Sequence, residues 1–148
     1  MLLEASIDID RPIETVFDFV ADPRNDSRWC PRVISCEQRP GEGPGRGARY
    51  DVLHDPTLIR RHTRSIEIVE FDRPRRMVSR QEDEVAAFTI SYLLERTPRG
   101  TRLTQRDEIA WRISRIARPV AKRIVGRHIG SQLRKLKQVL ESPDPAAA

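Results

Sequence analysis

Apolar residues alternate with polar ones at the start of the chain: Leu3, Ala5, Ile7 and Ile9 are interleaved with Glu4, Ser6, Asp8 and Asp10. A repeat of two marks a strand with one buried face, so the pattern predicts a strand here. Arg11-Pro12 ends it. Pro12 suits the first position of a helix and Glu14 suits its N-terminal field, while Val16, Phe17, Phe19 and Val20 give a short helix its apolar side. Asp22-Pro23 repeats the logic, an N-cap followed by proline, and predicts a second short helix ending near Arg28.

After Trp29-Cys30-Pro31 the runs 33–38, 48–54, 58–71, 76–81, 88–96 and 101–111 read as strands. They are separated by turn chemistry at Asp55-Pro56-Thr57, Asp72-Arg73-Pro74 and Thr97-Pro98-Arg99-Gly100. The Gly-rich stretch 41–47 lacks the spacing of a phosphate-cradling loop and reads as a mobile connection. From about Ser114 the period becomes helical, with Ala121, Val125, Ile129, Leu133, Leu136 and Leu140 on one face. Pro119 belongs in a first turn or a kink, which leaves 113–118 an ambiguous lead-in. Ser142-Pro143 stops the helix. The order predicts an α+β domain over 1–141: two short helices after strand 1, and a curved antiparallel sheet of about seven strands wrapped around one long C-terminal helix. Residues 142–148 read as a flexible tail.

The last hairpin fixes its own register. Its four-residue loop opposes Arg96 and Thr101, hence Leu94 and Leu103, Tyr92 and Gln105, Ile90 and Asp107, Phe88 and Ile109. One face is then apolar except for Tyr92, Gln105 and Asp107, while the other carries Thr89, Ser91, Glu95, Arg102, Thr104, Arg106 and Glu108 and faces water. In the middle hairpin, pairing His54 with Leu58 sets Val52 against Arg60 and Tyr50 against His62, and Ile66 and Ile68 continue that face; a one-residue bulge would reverse it. A buried polar group costs about 1–3 kcal/mol unless it finds a partner. Several on one face therefore form a structural network or line a wet cavity, and for the set a cavity is the expectation.

Composition narrows the function. The 148 residues suffice for one core without disulfide or metal. Cys30 and Cys36 have neither zinc nor redox-motif spacing and read as reduced thiols; His54, His62 and His128 have no ligand spacing, so no metal or cofactor is expected. No signal-peptide pattern and no apolar run of about 18 residues is present, which predicts a cytoplasmic chain. Net charge is +5, and from Arg112 to Lys137 nine basic residues occur with no acid. That run reads as the solvated face of the helix, with at most peripheral membrane contact and no specific nucleic-acid partner.

Several stretches together carry a family resemblance: ASIDIDRPIETVFDFVADPRNDSRW at 5–29, FDRPRR at 71–76, GTRLTQRDE at 100–108 and LRKLK at 133–137. In that order and spacing they resemble START-like (SRPBCC) proteins of the polyketide cyclase/dehydrase group. The resemblance implies a helix-grip, Bet v 1-like fold with a hydrophobic cavity between sheet and terminal helix, and Trp29 matches the family tryptophan that helps close the cavity mouth. It supplies no catalytic residue. The expected function is binding or transport of a hydrophobic small molecule, lipid, polyketide or isoprenoid-like. The alternatives are a cyclase, aromatase or dehydratase using the same cavity, and attraction of a polyanion or membrane surface to the basic helix. The candidate ligand-binding residues are Trp29, Tyr50, His54, His62, Phe88, Tyr92, Gln105 and Asp107. The oligomeric state is left open.

Overall fold

The computed structural model describes residues 1–41, 43–55 and 60–143. Strand β1 spans Leu2–Ile9, followed by helix α1, Ile13–Val20, and a 3-10 helix, Pro23–Arg28. Strands β2 (Val33–Gln38), β3 (Arg49–His54), β4 (His62–Asp72), β5 (Arg76–Glu82), β6 (Ala86–Thr97) and β7 (Gly100–Trp111) follow, and helix α2 spans Arg118–Glu141. All seven strands form one antiparallel sheet in the order β1-β7-β6-β5-β4-β3-β2. This is the helix-grip α+β arrangement that the sequence predicts.

Local chemistry accounts for the elements. Alternation holds in β1, where Leu3, Ala5 and Ile7 are half-buried and Ile9 is sealed. The Asp22 carboxylate accepts from the Arg24 N–H and starts the 3-10 helix. Pro119 lies in the first turn of α2, where its missing N–H costs nothing; the preceding 115–117 form a turn, which resolves the ambiguous lead-in. The β6–β7 register is the one the hairpin arithmetic gives, with Tyr92 opposite Gln105 and Ile90 opposite Asp107. Gly100 has no room for a side chain: a Cβ there would come within 2.7 Å of the Arg11 backbone N.

The β3–β4 hairpin departs from the expected pairing. His54 pairs with His62, Val52 with Arg64 and Tyr50 with Ile66. Leu58 and most of the proposed turn lie outside the described residues. The shift is an even number of residues, so every side chain keeps its face while its partner changes. Irregularities between Val33 and Ser35 and between Ile68 and Glu70 interrupt the ladder, a device that bends sheets.

The core fills the sheet's concave side. Helix α1 contributes Ile13, Val16, Phe17 and Val20, and the Phe17 ring meets Phe71 edge-on at 5.2 Å. Helix α2 buries Ala121, Ile129, Leu133, Leu136, Val139 and Leu140, and its C-terminal half is tied down by Lys137, whose Nζ donates to the Asp8 carbonyl at 2.7 Å. Gly126 is exposed with open space around it, so it brings α2 no closer to the sheet. Towards its N-terminal half, α2 spans a hollow instead of a filled interior.

Candidate functional site

That hollow is a cavity of about 160 Å³ between the sheet and α2. Val52, Ile66, Phe88 and Ile90 form its sheet side, and Val125 and Ile129 its helix side. Two groups of polar residues interrupt this apolar lining.

The first belongs to β6, β7 and α2. Gln105 is 1% exposed and Asp107 4%. Gln132 Nε2 donates to Gln105 Oε1 at 2.9 Å, and Gln105 Nε2 donates to Asp107 Oδ1 at 3.0 Å, so two amides run head to tail from the helix to one carboxyl. Burial pushes the Asp107 carboxyl up to about 6, and the Gln105 bond offsets this only in part. The Tyr92 phenol is pushed well above its usual value by burial and by the fields of Asp26, Cys30 and Asp107, so it stays protonated. Asp26, on the 3-10 helix, also lines the cavity, and burial pushes its carboxyl well up; the Trp29 indole N–H offsets part of this without closing a hydrogen bond. Burial and the carboxyls of Asp26 and Asp107 likewise hold Cys30 as a thiol.

The second group is built around an arginine on β4. Arg64 is 7% exposed; its Nη1 donates to Gln81 Oε1 at 2.9 Å, its Nη2 pairs with the Asp83 carboxylate, and its guanidinium carbon lies 4.9 Å from the Phe88 ring centroid. The other Asp83 oxygen accepts from the N–H groups of Val85 (2.9 Å) and Ala86 (3.0 Å), closing the β5–β6 turn. Burial lowers the Arg64 pKa and Asp83 opposes that. The His54 imidazole lines the cavity and is held down to about 4, first by burial, then by Arg64 and His62. At neutral pH it is uncharged. Arg32 Nη2 lies 3.3 Å from His128 Nε2 and links the segment after the 3-10 helix to α2.

Of the residues singled out in the sequence, His54, Phe88, Tyr92, Gln105 and Asp107 line the cavity. His62 faces the same side but lies behind, with Nε2 3.8 Å from the Asp83 carboxylate and Nδ1 donating to the Arg60 carbonyl at 2.9 Å. Trp29 is 1% exposed, and its ring sits 6.0 Å behind that of Tyr92 without reaching the cavity. Tyr50 is fully buried, with an unpartnered hydroxyl, near Asp22, Arg24 and Cys36. Sequence reasoning missed Asp26, Arg64, Gln81, Asp83 and Gln132. Among the described residues no three His, Cys, Asp or Glu side chains are grouped to hold a metal ion, and no helix is long and apolar enough to cross a membrane.

A long helix gripped by a seven-stranded sheet over an internal cavity defines a helix-grip domain. The chain belongs to the polyketide cyclase / dehydrase and lipid transport family, whose model matches residues 2–141. No curated protein matches the chain in sequence. Among solved structures it is similar to the Zhui aromatase/cyclase from Streptomyces sp. R1128, at 16% identity over 95% of this chain and 93% of that one, with a TM-score of 0.80. It also resembles BexL, the di-domain ARO/CYC from the BE-7585A biosynthetic pathway, at 19% identity and a TM-score of 0.78, covering 97% of this chain but 51% of that one. TTHA0849 from Thermus thermophilus matches at 16% identity, TM-score 0.75, over 95% of this chain and 97% of that one. At these identities the likeness concerns the fold.

Proposed function

We propose that the chain binds a compact, largely apolar molecule that carries an uncharged hydrogen-bonding oxygen, held in the cavity against Asp107, Gln105 and Tyr92. The observation that carries this reading is the amide relay: one N–H of Gln132 is spent on Gln105 and one of Gln105 on Asp107, which sets the Asp107 carboxyl, beside the Tyr92 hydroxyl, among the apolar side chains of the lining. Pockets of this kind, apolar with a few placed polar groups, are the usual form of a small-molecule site. Size restricts the guest. A dry cavity of roughly 150 Å³ takes a benzene-sized molecule, whereas drug-sized ligands use about 300–1,000 Å³. At about 160 Å³ the cavity fits a single substituted ring, and a longer chain would need α2 to swing outward. Arg64 is paired with Asp83 and His54 is uncharged at neutral pH, so neither offers an unpaired charge to an ionised ligand.

A second reading rests on Asp107 alone. A carboxyl poised near pH 6 inside a pocket can give or take a proton at neutral pH, as enolisation of a ketone requires. One experiment addresses both. Trp111 lines the cavity, so titration with 2,4-dihydroxyacetophenone is read by tryptophan fluorescence, and the same mixture in heavy water is read by mass for exchange at the methyl group beside the ketone. Binding is expected to saturate and to weaken about tenfold in Asp107→Ala. Absence of binding, together with no small molecule in an organic extract of freshly purified protein, would overturn the binding reading. Exchange accelerated by the protein and lost in Asp107→Asn would make the chain a catalyst.

A further inference from the structure

Among the described residues the most exposed large apolar side chain is Ile116, at 90%, with Val120 also exposed at 61%. Ile116 lies in the turn before α2 and Val120 in its first turn, four residues on, which is the spacing that puts two side chains side by side. Exposed Pro119 lies between them. Isolated surface hydrophobics need no explanation. This pair is different because of what surrounds it.

From Arg112 to Lys137 there are nine basic residues and no acid. Removing those nine from the 27 Lys and Arg leaves 18 against 22 Asp and Glu, so the rest of the chain is net acidic. The two surfaces are also organised differently. On the outer face of the sheet four arginines are matched with carboxylates: Arg102 with Asp8, Arg106 with Glu4, Arg39 with Asp51, Arg76 with Glu70. Along α2, Arg118, Lys122, Arg123, Arg127, Arg134 and Lys135 have no acidic partner within 4.0 Å among the described residues. Neither has Arg115. Arg123 and Arg127 continue the Ile116–Val120 stripe down the helix by steps of three and four.

We propose that the turn 114–117 and the first turns of α2 dock the protein on an anionic lipid surface, with Ile116 and Val120 entering the headgroup boundary and the surrounding cations engaging phosphate groups. The chemistry of the patch selects a bilayer over a nucleic acid. Two aliphatic side chains at the tip gain nothing from a phosphate backbone, and the cationic face carries no exposed aromatic ring on which a base could stack. The docking does not depend on what the cavity holds. The two features meet at Ile124, which lines the cavity one helical turn beyond Val120.

The test is flotation with vesicles of phosphatidylcholine containing about 30% phosphatidylglycerol, compared with phosphatidylcholine alone, at low and at raised salt. Binding to the anionic vesicles is expected, at least tenfold weaker on neutral ones. Each cation near the surface is worth about a fivefold change in partitioning, so R123E/R127E should abolish measurable binding. I116S/V120S should weaken it about tenfold, while a control pair on the exposed strands, L2S/I34S, should not. All six positions are exposed, and an unchanged melting temperature confirms that the variants fold. Equal binding to neutral vesicles, no binding, or binding untouched by I116S/V120S and matched by retention of a short DNA duplex would overturn the proposal, the last in favour of a general polyanion surface.

Discussion

The two polar sides of the cavity solve one problem in opposite ways. Both place ionisable groups among apolar residues, where an uncompensated charge is expensive. The Asp107 side supplies amide donors and no cation, and the carboxyl responds by holding its proton up to about pH 6. The Arg64 side supplies a counter-charge: Asp83 pairs with the guanidinium, Gln81 takes a second N–H, and the Phe88 ring covers its face. The first is a neutral device whose state depends on pH. The second is a fixed ion pair; the neighbouring His54 resists protonation first through its burial and then through Arg64, with Asp83 opposing. The pair is structural chemistry, while under the proposed function the proton on Asp107 is the one a guest would meet.

The largest effect comes from breaking the ion pair. Asp83→Asn keeps an oxygen for the Val85 and Ala86 N–H groups but leaves Arg64 alone at 7% exposure. Stranding a buried charge costs about 3–5 kcal/mol, so urea unfolding should show a loss of about 4 kcal/mol. Adding Arg64→Met should recover much of it. A double variant no more stable than the single one would mean that Arg64 finds water in the folded state.

A smaller effect, with a sign that reverses the usual rule for carboxylates, belongs to Asp107. Its folded pKa of about 6 lies above the ordinary aspartate value of 3.8, so between pH 4 and 6 the unfolded chain releases a proton that the folded chain keeps. The group's contribution is therefore complete below pH 3.8 and is lost as the pH rises through 6, on the order of 3 kcal/mol at this depth of burial. Asp107→Asn should match the parent at pH 4 and exceed its stability at pH 8. Equal destabilisation at both values would show that the carboxylate is well satisfied when charged.

The unequal legibility of the two sides follows from how each is built. Tyr92, Gln105 and Asp107 lie on a hairpin whose loop is fixed by Thr97-Pro98-Arg99-Gly100, so counting outward places them on the inner face. Arg64 lies on a hairpin whose loop length is not written in the sequence. Pairing from Leu58 sets Arg60 beside Val52, and only the structure brings Arg64 there. Asp83, within the acidic run Glu82-Asp83-Glu84, reads as solvated until the β5–β6 turn folds its side chain inward, leaving it 1% exposed. Gln132 did leave a signal: it sits three residues after Ile129 and four before Leu136, a polar residue on the apolar stripe of α2. The fold was legible because alternation and helical period agree with the final layers; the Arg64 side was not, because ion pairs across a sheet depend on register.

The smallest effect sharpens the comparison furthest. His54 has a folded pKa of about 4 against an ordinary histidine value of 6.5, so as the pH falls through that window the unfolded chain takes up a proton that the folded chain refuses. Its contribution is complete above pH 6.5 and is lost towards pH 4, the opposite direction to Asp107 over the shared interval. Because His54 is only half-buried, solvent screening trims the effect to about 1 kcal/mol. His54→Gln should therefore gain on the parent as the pH falls from 7 to 4, and Asp107→Asn should gain as it rises over the same range. With both substitutions in one chain the two slopes vanish together, and unfolding midpoints measured across pH 4–7 should vary less than in either single variant. A double variant that keeps the slope of one single would mean that the two sides are coupled through the cavity, and that protonation of Asp107 is set by the Arg64 cluster and not by burial alone.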